Sequence, residues 1–316
     1  MEIAFGTVPS RRLGRSLGIN NIPPKHCSYS CVYCQVGATP AQEIMPGSFH
    51  MPDQIFRQVN QRLDDIRAQG ETVDYLTFVP EGEPTLDENL AEAIAALRPF
   101  GLPIAVISNA SLLWQSAVRN ALRLADWVSV KVDCVDESLW RQINRPHPAL
   151  KLAKILDGIQ AFAHAYNGTL VSETMLLADI NDAPETLAST ASFLREAGIS
   201  RSYLSIPHRP PTVREVRMPD EATVARAYAI FREAGLETEL LTAYEGDAFA
   251  FSGDLRRDIL AITAVHPLRE SALRALVEKS GGDMSHVAAL VAAGELKAVE
   301  YAGDVFYVRR LTANCT

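Results

Sequence analysis

Apolar residues recur along this chain with two periods, and the periods alternate. Between 52 and 68, Ile55, Phe56, Val59, Leu63 and Ile66 fall at helical spacing behind Pro52 and Asp53, and Gly70 follows as a stop. A β-rich run at 75–79 comes next, then the turn Pro80-Glu81-Gly82-Glu83-Pro84 and a helical stretch at 87–97. The alternation continues with strands at 104–107, 127–132, 170–177 and 203–206, and helices at 113–124, 152–165, 184–196 and 220–234. A short strand at 15–20 begins the series. Six βα units in about 235 residues predict a parallel sheet covered by helices. Right-handed crossovers curl such a sheet toward a barrel, here a partial (β/α)6 TIM-like barrel, whose loops after the strands share one face and carry the site. An open doubly wound sheet is the alternative.

From Phe251 the pattern changes. Three helical stretches, 255–265, 269–279 and 284–293, are followed by Gly294 and two strand-like pieces at 297–301 and 305–309. Helix, helix, helix and hairpin predict a small C-terminal winged-helix-like domain over 251–316, behind a core domain over 1–245. Its charges nearly cancel: Arg256, Arg257, Arg269 and Arg274, for example, face Asp254, Asp258, Glu270 and Glu278. A nucleic-acid reader carries a basic bias, so the balance favours a protein-contact or lid role.

Composition adjusts this picture slightly. With 316 residues, 47% hydrophobic and 22% charged, the chain is expected to form a sizeable core. No apolar run approaches the ~18–20 residues of a membrane span, and Met1-Glu2-Ile3-Ala4-Phe5-Gly6 does not read as a secretory signal. The five cysteines are odd in number and three are clustered, which points to a reducing, cytoplasmic setting rather than a disulfide framework. A net charge of -8 disfavours broad nucleic-acid binding. Residues 1–26 run the other way, with Arg11, Arg12, Arg15 and Lys25 against Glu2, and predict either a basic lip for an anionic ligand or a solvated segment.

The chemistry concentrates in Cys27-Ser28-Tyr29-Ser30-Cys31-Val32-Tyr33-Cys34. Structural zinc takes four ligands, usually as two separated pairs, and no second pair follows here. A redox Cys-x-x-Cys pair leaves Cys27 unexplained. An iron–sulfur cluster on three thiolates fits best and leaves one iron open.

Cys-x3-Cys-x2-Cys, with Tyr33 before its last cysteine, resembles the radical S-adenosylmethionine superfamily. Gly82-Glu83 after the second strand resembles that superfamily's Gly-Gly-Glu-like turn, with Glu81 standing where its first glycine often lies. The segments 9–18, 143–148 and 207–211 resemble a group loosely classed with the tRNA wyosine synthases. The resemblance covers about residues 7–245. It implies a [4Fe-4S] cluster on Cys27, Cys31 and Cys34, S-adenosylmethionine on the open iron, and an external electron donor such as flavodoxin or ferredoxin.

The resemblance also implies cofactor contacts. Gly82 and Glu83 would hold the methionine amine, and Ser108 and Asn109 its carboxylate or the ribose, unless they cap a helix. Lys131 and Asp133 would reach the ribose and carboxylate, or else pair with each other. Tyr33 would pack on adenine, and Pro207 would border it. Glu173, inside an apolar strand, needs a partner such as Lys131 or a polar ligand. Arg145, His147 and Arg209 are expected as substrate contacts, because a guanidinium fork suits carboxylate or phosphate. Cys134 is expected as a small buried residue, and Cys315 receives no role. Two other functions compete: an iron–sulfur or zinc regulator with a winged-helix reader, and a tRNA-modifying radical enzyme. A protein or small-molecule substrate suits the acidic chain better than nucleic acid.

Overall fold

The computed structural model describes residues 2–241, 254–265, 267–301 and 303–310. Two strands open the chain, β1 (Ala4–Ser10) and β2 (Gly14–Ile19), paired as an antiparallel hairpin. Strands and helices then alternate: α1 (Pro52–Ala68), β3 (Tyr75–Phe78), α2 (Leu90–Leu97), β4 (Ile104–Ser108), α3 (Ser116–Leu122), β5 (Trp127–Lys131), α4 (Glu137–Asn144), α5 (Leu152–Ala165), β6 (Thr169–Met175), α6 (Pro184–Glu196), β7 (Arg201–Ser205), α7 (Glu221–Glu233) and β8 (Glu237–Leu241). Among the described residues the eight strands form one sheet in chain order, parallel from β2 to β8. A doubly wound sheet reverses its strand order at a switch point, and this order runs straight through. Among the described residues the sheet ends at β1 and β8, which makes the barrel partial.

The strand faces divide by the period of two. Leu76, Phe78, Ile104, Val106, Val128 and Val130 belong to the main core, with Ile55, Val59, Leu63 and Ile66 of α1 and Ala93, Ile94 and Leu97 of α2. The opposite face turns into the barrel. There Leu13, Ala105, Trp127, Val171, Tyr203 and Leu241 form a separate apolar cluster. Two residues further along the same strands stand Ser129, Glu173 and Ser205, and Lys131 ends β5.

Three elements fall outside the expected pattern. β1 shows no clean alternation because its first residues are buried throughout, and its register shifts between Phe5 and Val8, where Gly6 takes φ 94°. β8 is an edge strand whose Glu237 and Glu239 are exposed. α4 is short, eight residues, started by Asp136 accepting from the Leu139 amide. Two expected helices begin late. Pro84–Leu86 forms a 3-10 turn before α2, and the stretch from 113 becomes helical only at Ser116.

The C-terminal unit comprises α8 (Leu255–Val265), β9 (Leu268–Arg269), α9 (Glu270–Lys279), α10 (Ser285–Ala292), β10 (Leu296–Tyr301) and β11 (Asp304–Arg309). Helices and hairpin follow in the expected order, and β9 adds a third antiparallel strand beside β11. Its own small core holds Ile259, Ile262, Leu273, Leu276 and Leu290. The expected boundary between 245 and 251 lies outside the described residues, as does Cys315.

Several contacts join this unit to the barrel, among them the ion pairs Arg257–Glu2 and Lys279–Glu71. Buried Arg62 of α1 donates to Asp258 of α8 at 3.0 Å and to the Gly6 carbonyl at 2.8 Å. Tyr301 of β10 donates to the Pro207 carbonyl at 2.5 Å. Among the described residues no helix is long and apolar enough to cross a membrane.

Candidate functional site

The cysteine loop follows β2 and is clamped from two sides. On one side the turn after β3 presses against it: the Glu83 amide donates to the His26 carbonyl at 2.9 Å. A Cβ at Gly82 would stand 1.9 Å from that same carbonyl oxygen, so only glycine permits the approach. On the other side runs the segment that ends α4. Ser30 and Val32 donate their amides to the Asn144 and Ile143 carbonyls at 3.0 and 2.9 Å, and the His147 amide donates to the Ser28 carbonyl at 2.9 Å. Arg145 and His147 therefore act on the loop through their backbones. The Arg145 side chain is exposed, and its carbonyl accepts from Ser30 N and Gln42 Nε2.

Cys27, Cys31 and Cys34 are free thiols, each half-buried. Two amide side chains aim at them: Asn109 Nδ2 donates to Cys27 Sγ at 3.5 Å, and Asn144 Nδ2 to Cys31 Sγ at 3.4 Å. Burial, then Asp133, pushes the Cys31 thiol up to about 12. Burial, then Cys31 and Glu83, pushes Cys27 well above the ordinary thiol value. Thiolates here need a cationic centre to hold them, and metal binding releases such protons. Among the described residues no three His, Cys, Asp or Glu side chains converge as one metal ion requires. A cluster takes each thiolate on a different iron and needs no such convergence. With sulfur-directed donors already in place, the loop fits a cluster better than a single zinc.

Behind the loop, Glu83 is buried and saturated from its own neighbourhood. Its Oε1 accepts from Thr85 N, Thr85 Oγ1 and Ser108 Oγ at 3.1, 2.5 and 2.7 Å, and its Oε2 from Asn109 N at 2.7 Å. Burial outweighs these donors and raises its pKa. An ammonium group would thus find one Oε2 lone pair rather than a bare carboxylate. Ser108 and Asn109 do not cap α3, which starts after Gln115. Ser108 Oγ accepts from Ala110 N at 3.0 Å, and Asn109 Oδ1 from Ser111 N at 2.9 Å, forming a local turn.

Lys131 and Asp133 do not pair with each other, contrary to one expectation. Asp133 Oδ2 accepts from Tyr33 OH at 2.5 Å and Asn144 Nδ2 at 2.7 Å, and its Oδ1 accepts from Met175 N at 2.9 Å. Lys131 Nζ donates to Glu173 Oε1 at 2.8 Å and lies 5.0 Å from the Tyr33 ring centroid. Glu173 also accepts from Arg12 at 2.5 Å and Ser205 Oγ at 3.1 Å. Burial alone would raise Glu173, but Lys131 and Arg12 hold it well below the usual carboxylate range. The expected partner for Glu173 is confirmed, and Arg12 is an additional one.

The basic N-terminal lip is dispersed. Arg12 enters the barrel, Arg15 pairs with Glu71, Arg11 donates to the Leu240 carbonyl, and Lys25 lies by the cysteine loop. A cavity of about 200 Å³ opens inside the barrel beside Gln35, next in sequence to Cys34. Ser16, Thr77, Arg12 and Arg209 line it, and Arg209 Nη1 donates to Gln35 Oε1 at 3.1 Å. The Pro207 carbonyl already accepts from Tyr301 OH, which leaves it one lone pair. Next to it, His208 is pushed down to about 4 by burial and Arg209. Cys134 is buried and pushed up to about 12, first by burial.

Sequence reasoning singled out neither Asn144 nor Gln35, and it assigned Arg12 only to a surface lip. Asn144 sits in the noted 143–148 segment, yet only the fold shows its amide turned toward Cys31 and Asp133.

Residues 21–191 match the family model described as Radical SAM superfamily. A UPF0026 protein of Methanocaldococcus jannaschii is 47% identical over 313 residues, covering 98% of this chain and 97% of that one. A UPF0026 protein of Helicobacter pylori is 32% identical over 222 residues, 69% of this chain and 70% of that one. Among solved structures, TYW1 with a lysine-pyruvate adduct bound is similar in fold, with a TM-score of 0.55 at 16% identity, covering 69% of this chain and 73% of that one. Streptococcus suis SuiB bound to precursor peptide SuiA gives 0.53 at 15%, covering 72% and 49%. The match to that family model over more than half of the chain, and the 47% identity along nearly its whole length, mean that this chain belongs to the radical SAM superfamily of enzymes and, within it, to the UPF0026 family.

Proposed function

We propose that this chain holds a [4Fe-4S] cluster on Cys27, Cys31 and Cys34 and binds S-adenosylmethionine beside it to start hydrogen abstraction from a substrate. One observation carries the reading: three free thiols, two of them faced by asparagine amides, share a barrel rim with Gly82-Glu83, Ser108-Asn109 and Lys131-Asp133. When bound, the cluster and S-adenosylmethionine supply one-electron cleavage of the sulfonium, giving methionine and a 5′-deoxyadenosyl radical.

The chain's own residues bind, orient and exclude water. Asn109 and Asn144 orient the sulfurs. Glu83 Oε2 offers an acceptor to the methionine amine. Tyr33, fixed by Asp133, presents an aromatic face near the adenine position, and Pro207 borders it. The Lys131–Glu173–Arg12 group would supply the charged surface facing the ribose and carboxylate.

The substrate enters the cavity beside Gln35, which Arg209 lines, and Arg145 and His147, on the far side of the cysteine loop, are further contacts for it. The net charge of -8 favours a protein or small molecule over nucleic acid. An external flavodoxin or ferredoxin supplies the electron.

The test is anaerobic reconstitution with iron and sulfide, reduction by dithionite, and chromatography for 5′-deoxyadenosine. Wild type is expected to produce it, and Cys31→Ala to lose both the cluster absorbance and the product. A fully loaded wild type that yields no more than the Cys31→Ala control overturns the reading. A mobility shift with bulk tRNA at low salt would restore the tRNA-modifying alternative.

A further inference from the structure

Lys25 stands just ahead of Cys27, behind Pro23 and Pro24. Its backbone is left-handed, φ 67°, which is uncommon for a residue with a side chain. Its amide donates to the Glu81 carbonyl at 2.9 Å, which ties it to the turn after β3. Its Nζ atom is buried, and no hydrogen-bond acceptor reaches it. The charges that bear on it are Cys34, Glu81 and Cys27. Across the loop Gly37, itself at φ 89°, leaves room for the ammonium: a Cβ there would stand 3.0 Å from Nζ.

Glu81 is the carboxylate whose charge bears on it. It is buried, and neither carboxylate oxygen has a hydrogen-bond partner. Arg309 of β11 and Lys25 are the cationic side chains that bear on it. It lines a cavity of about 370 Å³ at the seam with the C-terminal unit, together with Asn20, Arg256, Arg257 and Arg309. A buried charge without a partner is costly, and a fold keeps one where a counter-charge arrives later. A cluster on three thiolates is anionic and gains a further negative charge on reduction.

We propose that Lys25 is a positioning residue for electron entry, a buried cation that raises the reduction potential of the cluster on Cys27, Cys31 and Cys34, while Glu81 opposes it. This rests on the reading that the cysteine loop holds a cluster. Arg309, bearing on Glu81 from the C-terminal hairpin, makes that unit part of the same electrostatic chain.

The experiment uses the full chain, reconstituted as wild type, Lys25→Met, Lys25→Arg and Glu81→Gln. Midpoint potentials are read at pH 8 by redox titration of the cluster's visible absorbance and the EPR signal of its reduced form. For Lys25→Met the reduced-to-oxidised ratio at fixed potential is expected to fall about tenfold, about 59 mV for one electron. Lys25→Arg should stay near wild type, and Glu81→Gln should shift the other way. A loaded Lys25→Met with the wild-type midpoint overturns the inference. So do Lys25→Met and Glu81→Gln shifting in the same direction, as a merely structural role would produce. If Lys25→Met loses its cluster, the Glu81→Gln shift decides, upward in favour and absent against. A wild type that takes up no iron or sulfide overturns the functional reading itself, and this inference with it.

Discussion

The floor of the barrel and the seam beneath the C-terminal unit both bury a carboxylate among cations, and they treat it in opposite ways. Glu173 on the floor is held by Lys131, Arg12 and Ser205. Glu81 at the seam has Lys25 and Arg309 bearing on it, but neither of its oxygens has a hydrogen-bond partner. Burial lifts both. On the floor the paired cations reverse the shift and depress Glu173. At the seam burial wins, and Glu81 is pushed up to about 7. A paired buried charge holds a scaffold in shape, whereas an orphaned one marks a place where the electrostatics are incomplete.

The largest test of this contrast is Glu173→Ala, which strands Lys131 and Arg12 inside the barrel. It is expected to cost about 3–5 kcal/mol in urea unfolding at pH 7. Because its folded pKa is depressed, the stability Glu173 contributes is present above its unfolded value and lost as pH falls through the acid range. The gap between wild type and variant should therefore close in acid. A gap that stays constant with pH would mean that lost packing, not the ion pairs, sets the cost.

Asn144→Ala comes next. It removes a donor from Asp133 while leaving Tyr33 and the Met175 amide in place, and is expected to cost about 1–3 kcal/mol. It also removes the donor aimed at Cys31, so the visible spectrum of the reconstituted cluster should change. An unchanged spectrum would show that this amide serves the scaffold alone.

The smallest effect carries the opposite sign. Glu81 has a raised folded pKa, so its ionisation destabilises the fold as pH rises from the ordinary carboxylate range through about 7. Glu81→Gln without cluster should melt at a higher temperature than wild type at pH 8 and at nearly the same temperature at pH 4. A lower melting temperature at pH 8 would mean that Glu81 is stabilised by Lys25 and Arg309, and would erase the difference between seam and floor.

Much of the barrel was legible because amphipathic helices declare themselves locally. α1, α5 and α6 carry their buried residues at helical spacing, and their observed bounds coincide with the expected ones. β1 and β8 were not legible, since one is buried on both faces and bulged and the other is an exposed edge. Of the site, the three thiols and the Gly82-Glu83 turn could be picked out by spacing and position. Why position 82 is glycine shows only in the fold, where its close neighbour is the His26 carbonyl of the cysteine loop itself.

Spacing along the chain determined where three thiolates meet on one loop, and the period of the apolar residues determined that parallel strands and covering helices would surround it. Both are properties of neighbours in sequence. Which charge meets which was decided only by the closed fold. Lys131 found Glu173 rather than Asp133, Asn144 turned its amide toward Cys31, and Lys25 came to rest between two thiols and Glu81. The physical reason is range. Periodicity acts through adjacent turns of backbone, whereas a buried charge is settled by whatever the fold brings within a few ångströms, as Arg62 and Asp258 meet from 196 positions apart.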